Sequence, residues 1–466
     1  SQANGGTAKT SSLNSPGDFT IEAVSAGTIV PLSIVGSISA RDPDLGGKPG
    51  GDDVPAAEKA ENKKAASETT GKWGLGISGD FAGAFVDDQT YAYLNDLGSV
   101  VGSPSVGGEF NTLEISSSNE TILNPVAGQA VISLAGGNEK SLAGIAGSAA
   151  VAEVTADVQA LLENATIQTF ALELEALNDK KIGTCAAGLQ VATPKGADLQ
   201  IAGSVVVNEI TNITTANISN VQATDDIGEI SLTALSMDEI WGAAGTAAVT
   251  WDRRSLKEGE EGLDAKTVVG VGMSAVWNQV ENTTTAEVTQ STITQSDGQV
   301  TIAAEDFTDS RVLSAGVDVA VPAGMSIEIG GMWATNLLYP TTTAQIADGS
   351  VINSNSENTE PLLVTAVLAP VLQSFAGYFS LDIGKPLSEK EAQLGIGVGA
   401  AVVVTRLGDE DGSSATLAQI NGSTVDRTGA VTVQAHTGAL GEETEQFVPD
   451  QEEAAVLNEG QNVHTL

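Results

Sequence analysis

Cysteine and histidine are scarce in this sequence, and their scarcity excludes whole classes of site. The 466 residues include one cysteine, Cys185, and two histidines, His436 and His464. A lone cysteine excludes an internal disulfide framework and a cysteine-based zinc site, and we expect Cys185 to be a small buried apolar residue. Two histidines leave almost nothing from which to build a Ser-His-Asp triad or a histidine-ligated metal site.

Positive charge and long apolar runs are also lacking. Lys and Arg number 20 against 60 Asp and Glu, which gives a formal net charge of −40. A field of this sign repels nucleic acid and anionic membrane surfaces. The sequence has neither an apolar run long enough to cross a bilayer nor the basic and apolar start of a signal peptide. We therefore expect no nucleic-acid partner and no membrane insertion by this segment, and we interpret it as mature material or a fragment of a longer chain.

Aromatic residues make up only 4% of the chain, whereas apolar residues make up 41%. A core built from this composition must consist of Ala, Val, Ile and Leu, which suits thin stacked layers better than a bulky globular interior. The 52 glycines, together with frequent Ser, Thr and Asn, indicate many turns. No glycine-rich phosphate motif follows a strand into a helix, so nucleotide binding is not predicted.

A degenerate repeat is the main pattern that the sequence does contain. An aliphatic residue is followed by a polar cluster, which we interpret as a turn, and then by alanine, any residue and a second aliphatic residue. Successive anchor alanines are 68, 56, 70, 58 and 74 residues apart, as expected of one unit with variable loops. The six anchor alanines are Ala92, Ala160, Ala216, Ala286, Ala344 and Ala418.

Two further features follow each anchor alanine. A second polar turn cluster comes first, for example Ser219-Asn220, and a short alternating strand comes next. The pairs that mark this strand are Leu113/Ile115, Leu172/Leu174, Ile230/Leu232, Val300/Ile302, Leu362/Val364 and Val431/Val433. In addition, Asn208, Asn278 and Asn336 each lie eight residues before an anchor alanine, which predicts an amide ladder interrupted where other copies carry Ala84, Ala152 and Thr405.

These patterns predict an all-β fold, a right-handed parallel β-helix (β-solenoid) with loop insertions. We expect strands of about four to six residues, and two or three coils in each repeat. Residues 1–40 would supply the first solenoid strands, 41–71 a Pro/Gly loop with a short helix, 72–436 the six repeats, and 437–466 an acidic loop or the start of another repeat. An array of β-sandwiches or barrels is the alternative.

Carboxylates and arginines are the residues that would carry chemistry if there were any. Parallel β-helices include polysaccharide lyases and hydrolases, and the candidates here are Asp87, Asp88, Asp225 and Asp226 with Arg253 or Arg254. Because paired carboxylates are common at turns without any catalytic role, we predict that the chain is not an enzyme.

One acidic turn, at residues 408–414, is a weak calcium candidate. Its oxygen ligands would come from Asp409, Glu410 and Asp411. The spacing is not that of an EF-hand, and an ordinary acidic turn is the favoured interpretation. Beyond this possible Ca²⁺ ion, no cofactor is predicted.

The blocks at 76–96 (GISGDFAGAFVDDQTYAYLND) and 205–221 (VVVNEITNITTANISNV) resemble units of very large bacterial filamentous adhesins. These are the filamentous-haemagglutinin-like and leukotoxin-type surface proteins, which are exported by autotransporter or two-partner routes. The resemblance implies a secreted or cell-surface stalk that presents loops for adhesion, and it brings no catalytic residues with it. A subunit of an extracellular filament assembled end to end is the alternative, and a polysaccharide lyase or hydrolase is a third.

The partners implied by this resemblance are a receptor or glycan on a host or neighbouring cell, or copies of the chain itself. Solenoids present binding loops at the edges of their coils. We therefore expect contacts at the non-repeating segments 41–71 and 252–264, the second of which contains Arg253 and Arg254.

Overall fold

The computed structural model describes residues 11–15, 17–40, 73–102, 111–134, 141–168, 170–193, 197–251, 267–295, 298–321, 325–354, 357–383, 394–408 and 414–438. These residues form strands in three sheets, and all of the strand pairs are parallel. Across these ranges no helix has the length and hydrophobicity needed to cross a membrane. The predicted parallel β-solenoid is confirmed.

The three sheets differ in the length of their strands. Sheet A has short strands: β1 (Ser11–Ser15), β5 (Leu97–Gly102), β9 (Thr166–Gln168), β12 (Gln222–Ile227), β15 (Thr292–Gln295), β18 (Val351–Ser354) and β23 (Thr424–Asp426). Sheet B contains β2 (Phe19–Ile29), β3 (Leu32–Ala40), β6 (Asn111–Leu123), β7 (Val126–Leu134), β10 (Phe170–Thr193), β13 (Ile230–Trp251), β16 (Val300–Val321), β19 (Leu362–Leu368), β20 (Val371–Asp382) and β24 (Val431–Thr437). Sheet C contains β4 (Trp73–Asn95), β8 (Ser141–Glu163), β11 (Ala197–Ser219), β14 (Thr267–Thr289), β17 (Met325–Ala347), β21 (Leu394–Leu407) and β22 (Ala415–Ile420).

Each coil runs from sheet C through sheet A to sheet B, and the next coil then begins in sheet C. The turn between sheets C and A contains a residue in the left-handed region, with φ between 50° and 58°, at Asp96, Asn164, Asn220, Gln290 and Asp348. Asparagine and aspartate tolerate this conformation better than other residues with side chains. The second polar cluster of each repeat is therefore a turn, as predicted.

The predicted register of the repeats is also confirmed. All six anchor alanines pair in one column along sheet C, and the short alternating strands align in one column along sheet B. In-register stacking brings side chains of the same kind together on neighbouring strands, such as Leu172, Ile230 and Val300. This produces one continuous apolar core, the main core, which extends from Ala92 to Ala366 and is joined by Ala418.

Two details of the sequence prediction are wrong. Each repeat supplies one coil, because its strands reach 24 residues in β10 and 23 in β11. The polar cluster before the first five anchor alanines is not a turn: residues 211–215, for example, continue β11 without interruption, and Asn212 and Thr214 point into the interior. In the sixth copy the strand is interrupted between Leu407 and Ala415, where the longer turn was predicted. Polar side chains favour turns because they can hydrogen-bond the nearby backbone there. Here they hydrogen-bond polar side chains of the facing sheet inside the solenoid instead, as Asn212 does with Asp238.

The interior changes in character along each long strand. Next to the main core lies a band of buried polar side chains, and beyond it a second apolar cluster that includes Val154, Ile182, Ile210 and Val280. Farther from sheet A the two sheets face each other directly, and this part is called the arm. In sheet B it consists of β3, β7, β20 and the second halves of β10, β13 and β16. These pack against the first halves of β4, β8, β11, β14 and β17 and against β21 in sheet C.

In the arm, small residues point inward and large apolar residues point outward. The backbones of the two sheets are so close that a methyl group added at Gly188 would lie 2.9 Å from the carbonyl oxygen of Gly203. Most large apolar side chains of the arm therefore lie on the outside, as at Val205 and Val317, although Val206, Val276 and Met332 are buried between the sheets. Cys185 is one of the outward residues and is partly exposed, so the expectation that it is buried is wrong.

Candidate functional site: buried polar groups between the sheets

A column of buried polar side chains lies between the main core and the second apolar cluster. Its members come from facing positions of sheets B and C on successive coils, and together they are called the polar column. They are the buried Asn119, Lys180, Asn212, Asp238, Asn282 and Asp306, together with the partly buried Asp88. Buried charges are rare in proteins unless they are paired or hydrogen-bonded, which makes the column the most unusual chemical feature of the interior.

Lys180 is the only described cation in the column, and its side chain is completely buried. Its ammonium group donates to the Oδ1 atom of Asn119 and to Oγ1 of Thr121 at 3.1 Å. Asn119 in turn donates to Asp88 at 2.9 Å. Burial lowers the pKa of Lys180 to about 8, although the negative charges of Asp238 and other carboxylates oppose this shift.

Asp238 and Asp306 occupy the next two coils and share one hydrogen-bond donor. The amide nitrogen of Asn282 lies 2.6 Å from Oδ2 of Asp238 and 3.2 Å from Oδ1 of Asp306, and Asn212 donates to Asp238 at 2.9 Å. Burial raises the pKa of Asp238 to about 7, and the negative charge of Asp306 adds to this shift. Burial also raises the pKa of Asp306 to about 6, against the hydrogen bonds from Thr308 and Asn282.

Several oxygen atoms of the column have no hydrogen-bond partner among the described residues. They include Oδ1 of Asn212, Oδ1 of Asn282 and Oδ2 of Asp306. The side chains are at most 3% exposed at Asp238 and fully buried at Asp306, so a substrate cannot reach them. The column can bind and release protons near neutral pH. Burial disfavours the charged form of each group, so it raises the pKa of the two aspartates and lowers the pKa of Lys180.

The predicted asparagine ladder lies on the far side of the second apolar cluster. Asn208 donates to Asn278 at 2.8 Å. The contact from Asn278 to Asn336 passes through the hydroxyl of Ser310, at 3.2 Å and 2.7 Å. The register of the three asparagines is therefore confirmed, with a serine of the facing sheet in the second step.

A second group of carboxylates lies in the arm near the last coil. Tyr378 donates to Asp318 at 2.7 Å, and Ser380 donates to Glu328. Burial raises the pKa of Glu328 to about 7, and nearby carboxylates add to the shift. A cleft of about 300 Å³ opens here and is lined in part by Tyr378 and Ser380. Within the described ranges, no three His, Cys, Asp or Glu side chains are grouped so that they could hold a metal ion.

No protein-family model, curated protein or solved structure matches this chain. The interpretation of the site therefore depends on the residues themselves.

The structure separates the carboxylates that were considered for catalysis. Asp87 points outward and is exposed, whereas Asp88 points inward, where it accepts a hydrogen bond from Asn119. Neighbouring residues of a strand point to opposite faces, so the two do not form a catalytic pair. Asp225 and Asp226 lie in β12.

The remaining predicted site residues lie outside the described ranges. These are the calcium candidates Asp409, Glu410 and Asp411, and the loop residues Arg253 and Arg254, together with the segment 41–71 that was expected to contain a short helix. Their roles stay predictions.

The sequence analysis missed the polar column. Lys180 and Asp238 lie within apparently ordinary polar stretches of different repeats. The signal that could have revealed them is their common position, because both lie four residues beyond the aligned alanines Ala176 and Ala234.

Proposed function

We propose that this chain is a structural segment of a secreted or cell-surface adhesin, in which stacked coils form a stalk and non-repeating segments make the adhesive contacts. The observation that carries the proposal is the in-register stack, in which one apolar core passes through every coil from Ala92 to Ala366. Such a body is held together by contacts between neighbouring coils, so it can be lengthened by adding coils without changing its cross-section.

The dimensions of the body support a role as one part of a longer object. A strand of 23 residues, such as β11, spans about 75 Å, whereas seven coils stack to a height of only about 30 Å. The described stack is thus longer along its strands than it is tall along the coil axis. A stalk would require many such coils, as expected of a segment of a giant surface protein.

The segments that would make the adhesive contacts interrupt the repeat. Residues 252–266 join β13 to β14 and contain Arg253 and Arg254, which are unusual in a chain with 60 acidic residues. Residues 41–72 join β3 to β4. Loops on a rigid scaffold are the usual place for binding residues.

An adhesion assay tests this function. Beads coated with the full chain should adhere to cultured epithelial cells, and variants with residues 41–71 and 252–264 replaced by Gly/Ser linkers of equal length should not. The far-UV circular dichroism and the thermal midpoint should stay unchanged, because the described strands are intact. Adhesion that survives both replacements would contradict the proposed contact segments, and absence of adhesion by the intact chain would contradict the function.

A second candidate is an extracellular filament assembled end to end. The described stack has open strand edges at both ends, at β4 and at β21 in sheet C, and open parallel edges are ready to pair with another strand. Electron microscopy distinguishes the two: filaments that lengthen with protein concentration and show a repeat along the coil axis favour assembly, whereas single particles favour the stalk.

A further inference from the structure

The outer side of the arm in sheet C is a large apolar surface in a strongly acidic protein. This surface, called the C face, consists of the outward-pointing residues of segments 77–83, 143–151, 199–207, 269–277, 327–335 and 396–404. Every outward residue in these segments is apolar or glycine except Thr335. Exposed members include Ile77, Phe81, Met273 and Trp333, which are 47% to 62% exposed.

The C face ends abruptly on β8 and β11, whereas on β4 the exposed Phe85 continues the apolar surface by one outward position. On β11 the outward residues are apolar through Val207, and the next outward residue is Glu209; on β8 the change occurs between Val151 and Glu153. The aligned register places this boundary at the same position along both strands, because Glu209 pairs with Glu153. The apolar residues are therefore gathered in one bounded patch.

The size of the C face suits a stable interface between proteins. Six strands about 4.8 Å apart, with about nine residues each, cover roughly 800 Å². The largest apolar patch on a typical monomer is only about 300–600 Å². Burying the C face against an equal surface would remove about 1,600 Å² from solvent, which is the size of a standard specific interface.

We propose that the C face binds the C face of a second copy of this chain, so that two solenoids associate side by side. The contact is lateral, and it is thus distinct from end-to-end assembly and independent of the adhesive function. A copy of the chain is the occupant because two C faces together bury the area of a standard specific interface, and because the columns along this face give it a complementary relief.

The relief of the C face is self-complementary. One column along the stack is a ridge of β-branched residues: Ile77, Ile145, Ile201, Val271, Ile329 and Val398. The next outward column contains Gly79, Gly147, Gly203 and Gly331 and forms a groove, with Met273 as the one long side chain in it. About the two-fold axis of a dimer, the ridge of each copy lies in the groove of the other, and the flexible Met273 side chain can bend aside.

A lipid surface fits the C face less well. The parallel strands of the arm have open edges at β4 and β21, and unpaired backbone groups in hydrocarbon cost several kcal/mol each. A protein partner leaves those edges in water. The net charge of −40 also opposes approach to an anionic bilayer.

Lysine substitutions at three equally exposed positions test which surface forms the dimer. Val205 in the C face is 43% exposed, while Val317 on the outer side of the arm in sheet B and Ile213 on the polar part of β11 are each 42% exposed. Sedimentation equilibrium of the full chain should show a dimer whose dissociation constant rises at least about tenfold in Val205→Lys, because a charge is buried in an apolar contact. Ile213→Lys is the control on a polar surface and should leave the dissociation constant unchanged. Val317→Lys lies on the outer side of sheet B, which is also apolar at Leu313 and Phe379, and it should leave the dissociation constant unchanged because the C face is the interface.

A pair of glycine substitutions separates ridge-in-groove packing from general hydrophobic association. A side chain added at Gly147 meets nothing within 4 Å, and at Gly203 the nearest atom is 3.8 Å away, so the monomer accepts both. The double variant Gly147→Val/Gly203→Val fills the groove and should weaken the dimer, whereas association by apolar area alone would be strengthened. This variant also keeps the test decisive if Val205→Lys does not fold.

Several outcomes would overturn the proposal. They are a wild-type chain that stays monomeric at high concentration, a dimer that is weakened by Val317→Lys and not by Val205→Lys, and a dimer strengthened by the glycine double variant. Flotation of the wild type, but not of Val205→Lys, with phosphatidylcholine vesicles would show that the C face binds lipid instead.

Discussion

Replacing Asp238 by asparagine removes a carboxylate that is buried within the polar column, and the effect on stability should depend on pH. Burial raises the pKa of Asp238 from 3.8 to about 7 in the folded chain. The folded state therefore binds the proton more tightly than the unfolded state does. The stability that results is fully present below pH 3.8 and is lost as the pH rises through about 7.

The size of the effect follows from the difference in pKa. A shift of about three units, at about 1.4 kcal/mol per unit, corresponds to roughly 4 kcal/mol of unfolding free energy between the protonated and charged forms. Asp238→Asn mimics the protonated form at every pH. The variant should thus match the wild type only below about pH 3.8, exceed its stability by about 1.6 kcal/mol near pH 5, and exceed it by up to about 4 kcal/mol above pH 8.

The hydrogen bonds around Asp238 can adapt to this substitution. Asn212 and Asn282 both donate to the carboxylate, and the Oδ1 atom of each has no partner among the described residues. One of these amides can therefore turn over and accept from the new amide group at position 238. Lys180, whose pKa is lowered to about 8, titrates in both proteins and adds stability as the pH rises above that value.

Urea unfolding followed by tryptophan fluorescence at several pH values from 5 to 8.5 measures the effect, and hydrogen exchange of β13 localises it. The matched control is Glu239→Gln, which removes one negative charge from the adjacent, exposed position of the same strand. Its difference from the wild type should vary little with pH. A difference for Asp238→Asn that is constant across this pH range, or that the control reproduces, would refute the reasoning.

Two further predictions concern packing inside the arm and the ladder. An added methyl at Gly330 would overlap the ring of Tyr378, whereas at Gly331 the nearest atom is 3.8 Å away. Gly330→Ala should therefore lower the unfolding free energy by about 1–3 kcal/mol and Gly331→Ala should not, as thermal unfolding can measure. Asn278→Ala removes the acceptor of the Asn208 amide and should cost about 1–3 kcal/mol; faster hydrogen exchange in β11 and β14, with other strands unaffected, is the expected readout.

The repeat pattern was enough to predict the architecture, because stacking in register follows from chemistry that recurs along the chain. The anchor alanines, the alternating apolar pairs and the asparagines at 208, 278 and 336 all occupy the columns that their spacing predicts. The left-handed turn at Asn220 was also predictable, since asparagine favours that conformation. Residues at equivalent positions of successive repeats therefore lie next to each other when the coils stack in register.

Strand length and the polar column were not predictable in the same way. The polar residues from Thr211 to Thr215 have the composition of a turn, yet they continue a strand because the facing sheet offers Asp238 as a partner. Asp238 lies in sheet B, whereas residues 211–215 lie in sheet C. The contact between them therefore depends on how the two sheets pack against each other. Local sequence contains no information about this contact.

The sequence by itself thus determined the repeat, the stacking register and the parallel all-β fold, while the tertiary structure alone decided which side of each strand is inside. An alternating pattern has a period of two residues whichever face is buried. In the main core the large apolar residues point inward, as at Ile218, but in the arm they point outward, as at Val205. The physical reason is the close approach of the two backbones at Gly188 and Gly203, which leaves room for small inward side chains at most positions between the sheets.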